Sequence, residues 1–144
     1  MTENDTVKLL RECDAGIKMG VSSIEEVVDN VKNQKFRRLL TKSKADHESL
    51  KEQLQVRLDG FNDKGKNPNP IAQSMSWIKT NVKLAADDSD KTVADLITDG
   101  CNMGVKSLNR YLNQYKTADQ NSKDITQQLI TLEENLSVDI RPYL

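Results

Sequence analysis

The single histidine of the 144-residue chain, His47, and the carboxylates able to meet it are the residues with chemistry to offer. Asp14 interrupts an otherwise apolar helical pattern, and Glu133 and Glu134 lie on a late one. An imidazole beside a carboxylate can ligate a divalent metal, share a proton or serve as a general acid–base pair. Cys13 and Cys101 add two thiols, which in helices of this kind are far more often buried and structural than redox-active. A serine or cysteine nucleophile would need His47, and no motif places one beside it. The sequence contains no C-x-x-C, glycine-rich phosphate loop, G-x-S-x-G or H-E-x-x-H.

Composition narrows the setting. Charged residues make up 30% of the chain, apolar ones 36% and aromatic ones 4%, which fits a helical bundle with solvated outer faces. A net charge of -1 argues against nucleic acid as a partner. The basic run Lys32, Lys35, Arg37, Arg38, Lys42 and Lys44 reads as a solvated helix face. No apolar run approaches the ~18 residues of a membrane span, so no membrane association is expected. The start, MTENDTVKLL, lacks the basic and apolar regions of a signal peptide. Two cysteines without such a signal imply reduced thiols and a cytoplasmic location.

Helices must position these side chains. Val7, Leu10, Asp14, Ile17, Val21, Ile24, Val28 and Val31 recur at spacings of three and four, the period of a helix packed along a bundle. Asn4 or Asp5 is expected to cap its start. Gly16 and Gly20 lie inside the pattern, each costing up to ~1 kcal/mol against Ala, and suggest close approach of another helix. Asp29-Asn30 marks a tight turn, and Asn33 is placed to cap a second helix. Its seam is Phe36, Leu40, Ser43, His47, Leu50, Leu54, Leu58 and Phe61, with Gly60 at a left-handed stop.

A loop over 62–70 leads into a short helix with Ile71, Met75, Ile78 and Val82 on one face and Trp77 beside it. The acidic run at 87–90 ends that helix and caps a third, from Asp90 to Lys116. The third helix presents Val93, Leu96, Ile97, Met103, Leu108, Tyr111, Leu112 and Tyr115. After a turn at 117–121, a fourth carries Ile125, Leu129, Leu132, Leu136 and Ile140, an unbroken apolar seam.

The chain thus reads as one domain, 1–144, of two helical hairpins, 6–61 and 90–141, joined by a crossover over 62–89. A helix of about 26 residues is roughly 39 Å long, and the crossover can run most of that length. The expected fold is all-α: a four-helix bundle in up-down-down-up order, with a short helix in the crossover between helices two and three. That is the ferritin-like connectivity. An internal repeat points the same way. Cys13-Asp14-Ala15-Gly16-Ile17-Lys18 matches Cys101-Asn102-Met103-Gly104-Val105-Lys106, and His47-Glu48-Ser49-Leu50 has a weaker echo in Glu133-Glu134-Asn135-Leu136.

The Leu-Leu-x-x-Cys-Asp-x-Gly of the first helix, Trp77 in the connecting helix, the acidic turn, and Leu96-Ile97 followed by Cys101-Asn102-x-Gly104 resemble a known family. It is that of small bacterial ferritin-like bundles catalogued as a domain of unknown function. The resemblance spans about 6–136 and implies the fold, while carrying no established activity.

Ferritin-like carboxylate proteins hold two metals with one Glu from each of two helices and a Glu-x-x-His from each of the others. Here Glu12 or Asp14 is available on helix one, while His47 is preceded by Lys44 in the motif position. Helix three offers Asn102 with Asp99 a turn away, and helix four has Glu133 and Glu134 but no histidine. At least three of the six expected ligands are missing.

Asp14 and His47 lie at similar distances from the turn near Asn30 and are expected to meet. Three readings are open: a buried pair fixing helix register, a mononuclear iron or manganese site using both with waters or Glu133, or side chains at the seam's edge pointing outward. The function expected is that of a non-catalytic bundle with a degenerate metal centre and no cofactor, working through self-association or protein contacts. The alternative is an atypical metal-binding or oxidoreductase bundle using Asp14 and His47.

Overall fold

The computed structural model describes residues 2–68 and 89–144, with side chains from Asp5 onward. Among the described residues there are four long helices and no strand: α1 (Thr2–Val27), α2 (Gln34–Gly60), α3 (Asp90–Gln114) and α4 (Gln120–Asp139). Short 3-10 turns follow α1 at Val28–Asn30 and α4 at Arg141–Tyr143. The short helix expected in the crossover, with Trp77, lies outside the described residues.

Local chemistry sets the helix ends. Asn33 caps α2 by accepting from the Phe36 amide. Ser89, inside the acidic run, caps α3 through Thr92, and Asp119 caps α4 through Ser122. Two expected ends differ. Neither Asn4 nor Asp5 starts α1, which begins at Thr2; the Asp5 carboxylate instead accepts from the Thr117 amide beyond the end of α3. At the end of α2 the left-handed residue is Asn62 (φ 55), not Gly60. Asp63 N–H reaches the Leu58 carbonyl and Asn62 N–H that of Asp59, the paired bonds of a Schellman stop.

Contacts at the two ends fix the helix directions. At one end the Asp90 carboxylate accepts from the Lys32 and Asn33 amides, and Tyr143 stacks on Phe36 with ring centroids 4.6 Å apart. That end therefore gathers the finish of α1, the starts of α2 and α3 and the finish of α4. At the other, Arg57 pairs with Asp119, and the Asp119 amide donates to the Thr6 hydroxyl at 2.8 Å. So α1 and α4 run one way, α2 and α3 the other.

The core is two apolar clusters. One, near the α1–α2 turn, contains Ile24, Val31, Phe36, Leu40, Val93, Ile97, Leu136 and Ile140. The other contains Leu10, Ile17, Leu50, Leu54, Leu108, Ile125 and Leu129. Burying a Leu, Ile or Phe contributes on the order of 1.5–3 kcal/mol each, so these clusters supply the main drive for folding. The α2 seam is buried as expected from Phe36 to Leu58. Met103, expected on the apolar face of α3, faces outward and is 59% exposed, while Cys101 takes the inward position.

Candidate functional site

Between the two clusters every helix contributes to one polar layer. On each helix an apolar residue of the first cluster lies on one side (Ile24, Leu40, Ile97, Leu136) and one of the second on the other (Ile17, Leu50, Leu108, Leu129). Within the layer stand Gly20 on α1, His47 on α2, Cys101 and Gly104 on α3, and Glu133 on α4.

His47 is 1% exposed and engaged at both ring nitrogens. Nδ1 lies 2.7 Å from the Ser43 carbonyl oxygen, one turn back on the same helix. A carbonyl only accepts, so Nδ1 carries hydrogen and donates. Nε2 stands 3.1 Å from Glu133 Oε1. With Nδ1 already protonated, a neutral ring would turn a lone pair toward a carboxylate. The contact therefore requires a proton between Nε2 and Oε1, and the pair carries one proton more than neutral imidazole plus free carboxylate. Burial alone depresses the His47 pKa; the hydrogen bond and charge of Glu133, the Ser43 carbonyl and the nearby Asp46 outweigh it and raise it above 6.5.

Glu133 bears on a third helix as well. Burial first, then the nearby Glu133 carboxylate, pushes the Cys101 thiol pKa up. One carboxylate thus ties α2 to α4 and acts on α3. The fourth helix enters by having no side chain there: a Cβ on Gly20 would stand 3.1 Å from His47 Cδ2 and Nε2. Gly104 faces Glu133 more loosely, its virtual Cβ 3.6 Å from the carboxyl carbon.

Asp14 is elsewhere. It is 1% exposed, and Oδ2 accepts from the Lys66 amide at 2.9 Å and pairs with Lys18 Nζ at 2.7 Å. Asp14 Oδ1 is buried without a hydrogen-bond partner. Gly65, at φ +79, lies against this carboxylate so closely that a Cβ would clash with it. Arg11 pairs with Asp63, Lys66 Nζ with Glu12 at 2.6 Å, and Lys18 Nζ with Asn67 Oδ1 at 3.2 Å. Residues 63–67 therefore run along α1 in its own direction, and Asp14 fastens the start of the crossover.

The expected Asp14–His47 pair is thus corrected, and the turn is the reason. After Val27 the 3-10 turn and the extended residues 31–33 carry the chain onward before α2 begins. His47, thirteen residues after Gln34, comes level with Gly20, seven before Val27. The α4 seam is corrected too. Glu133 is buried at 9% exposure, and Leu132, expected in that seam, is only partly buried.

Glu133 entered the sequence reading only as an optional co-ligand of a metal, and Cys101, Gly20 and Gly104 escaped it as neighbours of His47. A signal existed. Glu133 stands four after Leu129 and three before Leu136, as good a fit to the helical period as Leu132, and it aligns with His47 in the weak echo between α2 and α4. The stronger repeat is not repeated in contacts. Gly16 faces Leu129 and Gly104 faces Glu133, both on α4, whereas exchange of the hairpins would send Gly16 to α2. Cys13 lies in one cluster, its Sγ 3.1 Å from Thr126 Oγ1, and Cys101 in the other.

A dication at His47 would have to take Nε2 and displace the proton shared with Glu133. Among the described residues no three His, Cys, Asp or Glu side chains are grouped to hold an ion. Compared with protein-family models, with curated proteins and with solved structures, the chain matches none.

Proposed function

We propose that the chain is a ferritin-like bundle in which a self-satisfied polar layer occupies the place of the metal centre, and that it works through contacts with its own copies or other proteins rather than by catalysis. One observation carries this reading. Both nitrogens of the only histidine are committed within the protein, one to the Ser43 carbonyl and one to Glu133, leaving no imidazole nitrogen free for a substrate or metal. The helix directions, α1 with α4 against α2 with α3, agree with ferritin-like connectivity. No helix among the described residues is long and apolar enough to cross a membrane. Val56 at 72% and Met103 at 59% exposure are the outward apolar side chains at which contact with another chain is first to be sought.

The test is elemental analysis of the purified protein with and without added iron or manganese, together with its mass in solution by light scattering. Less than a stoichiometric amount of metal, with a mass above the 16.3 kDa of one chain, is the expected result. One metal per chain, lost in His47→Ala, overturns the non-metal reading. A monomer at every concentration removes self-association.

A further inference from the structure

We infer that the His47–Glu133 layer is a pH-sensitive bolt: it holds the middle of the bundle closed while it carries its shared proton, and it loosens the bundle as that proton leaves with rising pH. This goes beyond the proposed function and does not depend on which partner the chain meets.

The geometry makes the proton part of the structure. His47 Nδ1 is fixed on the Ser43 carbonyl, so the ring cannot change tautomer to relieve Nε2 without breaking that 2.7 Å bond. It cannot swing aside, because Gly20 of α1 closes on Cδ2 and Nε2. Loss of the proton therefore leaves a lone pair facing Glu133 Oε1 at 3.1 Å in a buried layer. Groups from every packed element bear on the ring. From α2 come the Ser43 carbonyl and the Asp46 charge; from α4, Glu133; from α3, the Cys101 thiol, whose pKa the same carboxylate raises; from α1, the backbone at Gly20.

The sign follows from linkage. A histidine whose folded pKa lies above its unfolded value near 6.5 contributes stability that is fully present below 6.5 and is lost as pH rises through the folded pKa. One proton gives a folding constant that falls by at most about tenfold per pH unit inside that window. The buried thiols act only further into alkali, above their ordinary 9.0.

The single histidine makes the test clean. The imidazole resonances of the full chain are followed by NMR from pH 5 to 9, and urea unfolding is measured from pH 6 to 8.5 for the wild type and for His47→Gln, which can donate to Glu133 but cannot titrate. The imidazole is expected to titrate above 6.5, Glu133→Gln to lower that value, and the wild type to lose stability with rising pH while His47→Gln stays level. Titration at or below 6.5, or parallel loss in wild type and His47→Gln, overturns the proposal. Should His47→Gln fail to fold, the wild-type titration alone decides.

Discussion

His47 Nε2 and Glu133 Oε1 stand 3.1 Å apart on α2 and α4, joined across 86 positions of sequence. The contact lies where the two apolar clusters of the bundle meet, and it ties α2 to α4 inside the bundle. A slip of α2 by one turn would bring Ser43 or Leu50 opposite Glu133 and part the carboxylate from the imidazole. Breaking such a pair costs about 3–5 kcal/mol, so the layer selects one register.

Gly20 and Gly104 flank the layer and should respond oppositely to alanine. Either substitution gains up to ~1 kcal/mol of helix propensity. At Gly104 the new methyl meets the Glu133 carboxyl at 3.6 Å, ordinary contact, and Gly104→Ala is expected to be neutral or stabilising. At Gly20 it meets an imidazole held at both nitrogens at 3.1 Å, and the ring cannot give way. Gly20→Ala should cost a net ~1–2 kcal/mol by overpacking. Urea midpoints compare the two, and a Gly20→Ala protein as stable as Gly104→Ala contradicts the packing described.

Asp14 should be separable from His47. Asp14→Ala removes the acceptor of the Lys66 amide and the partner of Lys18, with an expected cost of about 1–3 kcal/mol. Gly65→Ala should cost a similar amount, since φ +79 is strained for Ala and its Cβ would strike the same carboxylate. In neither variant should the His47 imidazole resonances move. Proteolysis should cut first in 62–68 in both. A displaced His47 resonance in Asp14→Ala would show that the two sites are coupled after all.

The thiols give a chemical check on burial. Cys13 is fully buried, and since the Thr126 hydroxyl donates to the Ser122 carbonyl, the thiol is left as donor to Thr126. Burial pushes the Cys13 pKa up to about 12, and Cys101 is also raised. Both should be inert to a disulfide reagent at neutral pH in the native protein and react when it is unfolded. A folded pKa above 9.0 contributes stability below pH 9 that is lost as pH rises through the window from 9 to about 12. Fast native-state labelling of either thiol would contradict this.

The helices were readable because their cause is periodic. The α2 seam from Phe36 to Leu58 is buried residue for residue, and Asn33 caps as its side chain allows. Partner choice was not readable, because it depends on height along the bundle. Equal distances from Asn30 suggested Asp14 for His47, but a 3-10 turn and three extended residues shift α2 against α1 and bring Gly20 level instead. On α4 the period accommodates Leu132 or Glu133, and hydrophobicity alone favours the leucine. Glu133 goes inside because His47 waits there, a fact held on another helix. Likewise Asp14 is buried for the sake of the crossover amide at Lys66, a partner no seam analysis of α1 contains.

The most direct test of the account is a double-mutant cycle on His47→Ala and Glu133→Ala, read by urea unfolding at pH 6. The account predicts that each single change costs about 3–5 kcal/mol, by stranding the other partner, and that the double variant costs clearly less than their sum. The coupling should exceed ~1.5 kcal/mol at pH 6 and shrink by pH 8.5. Additive costs at pH 6 would mean that His47 and Glu133 do not hold the bundle together through each other.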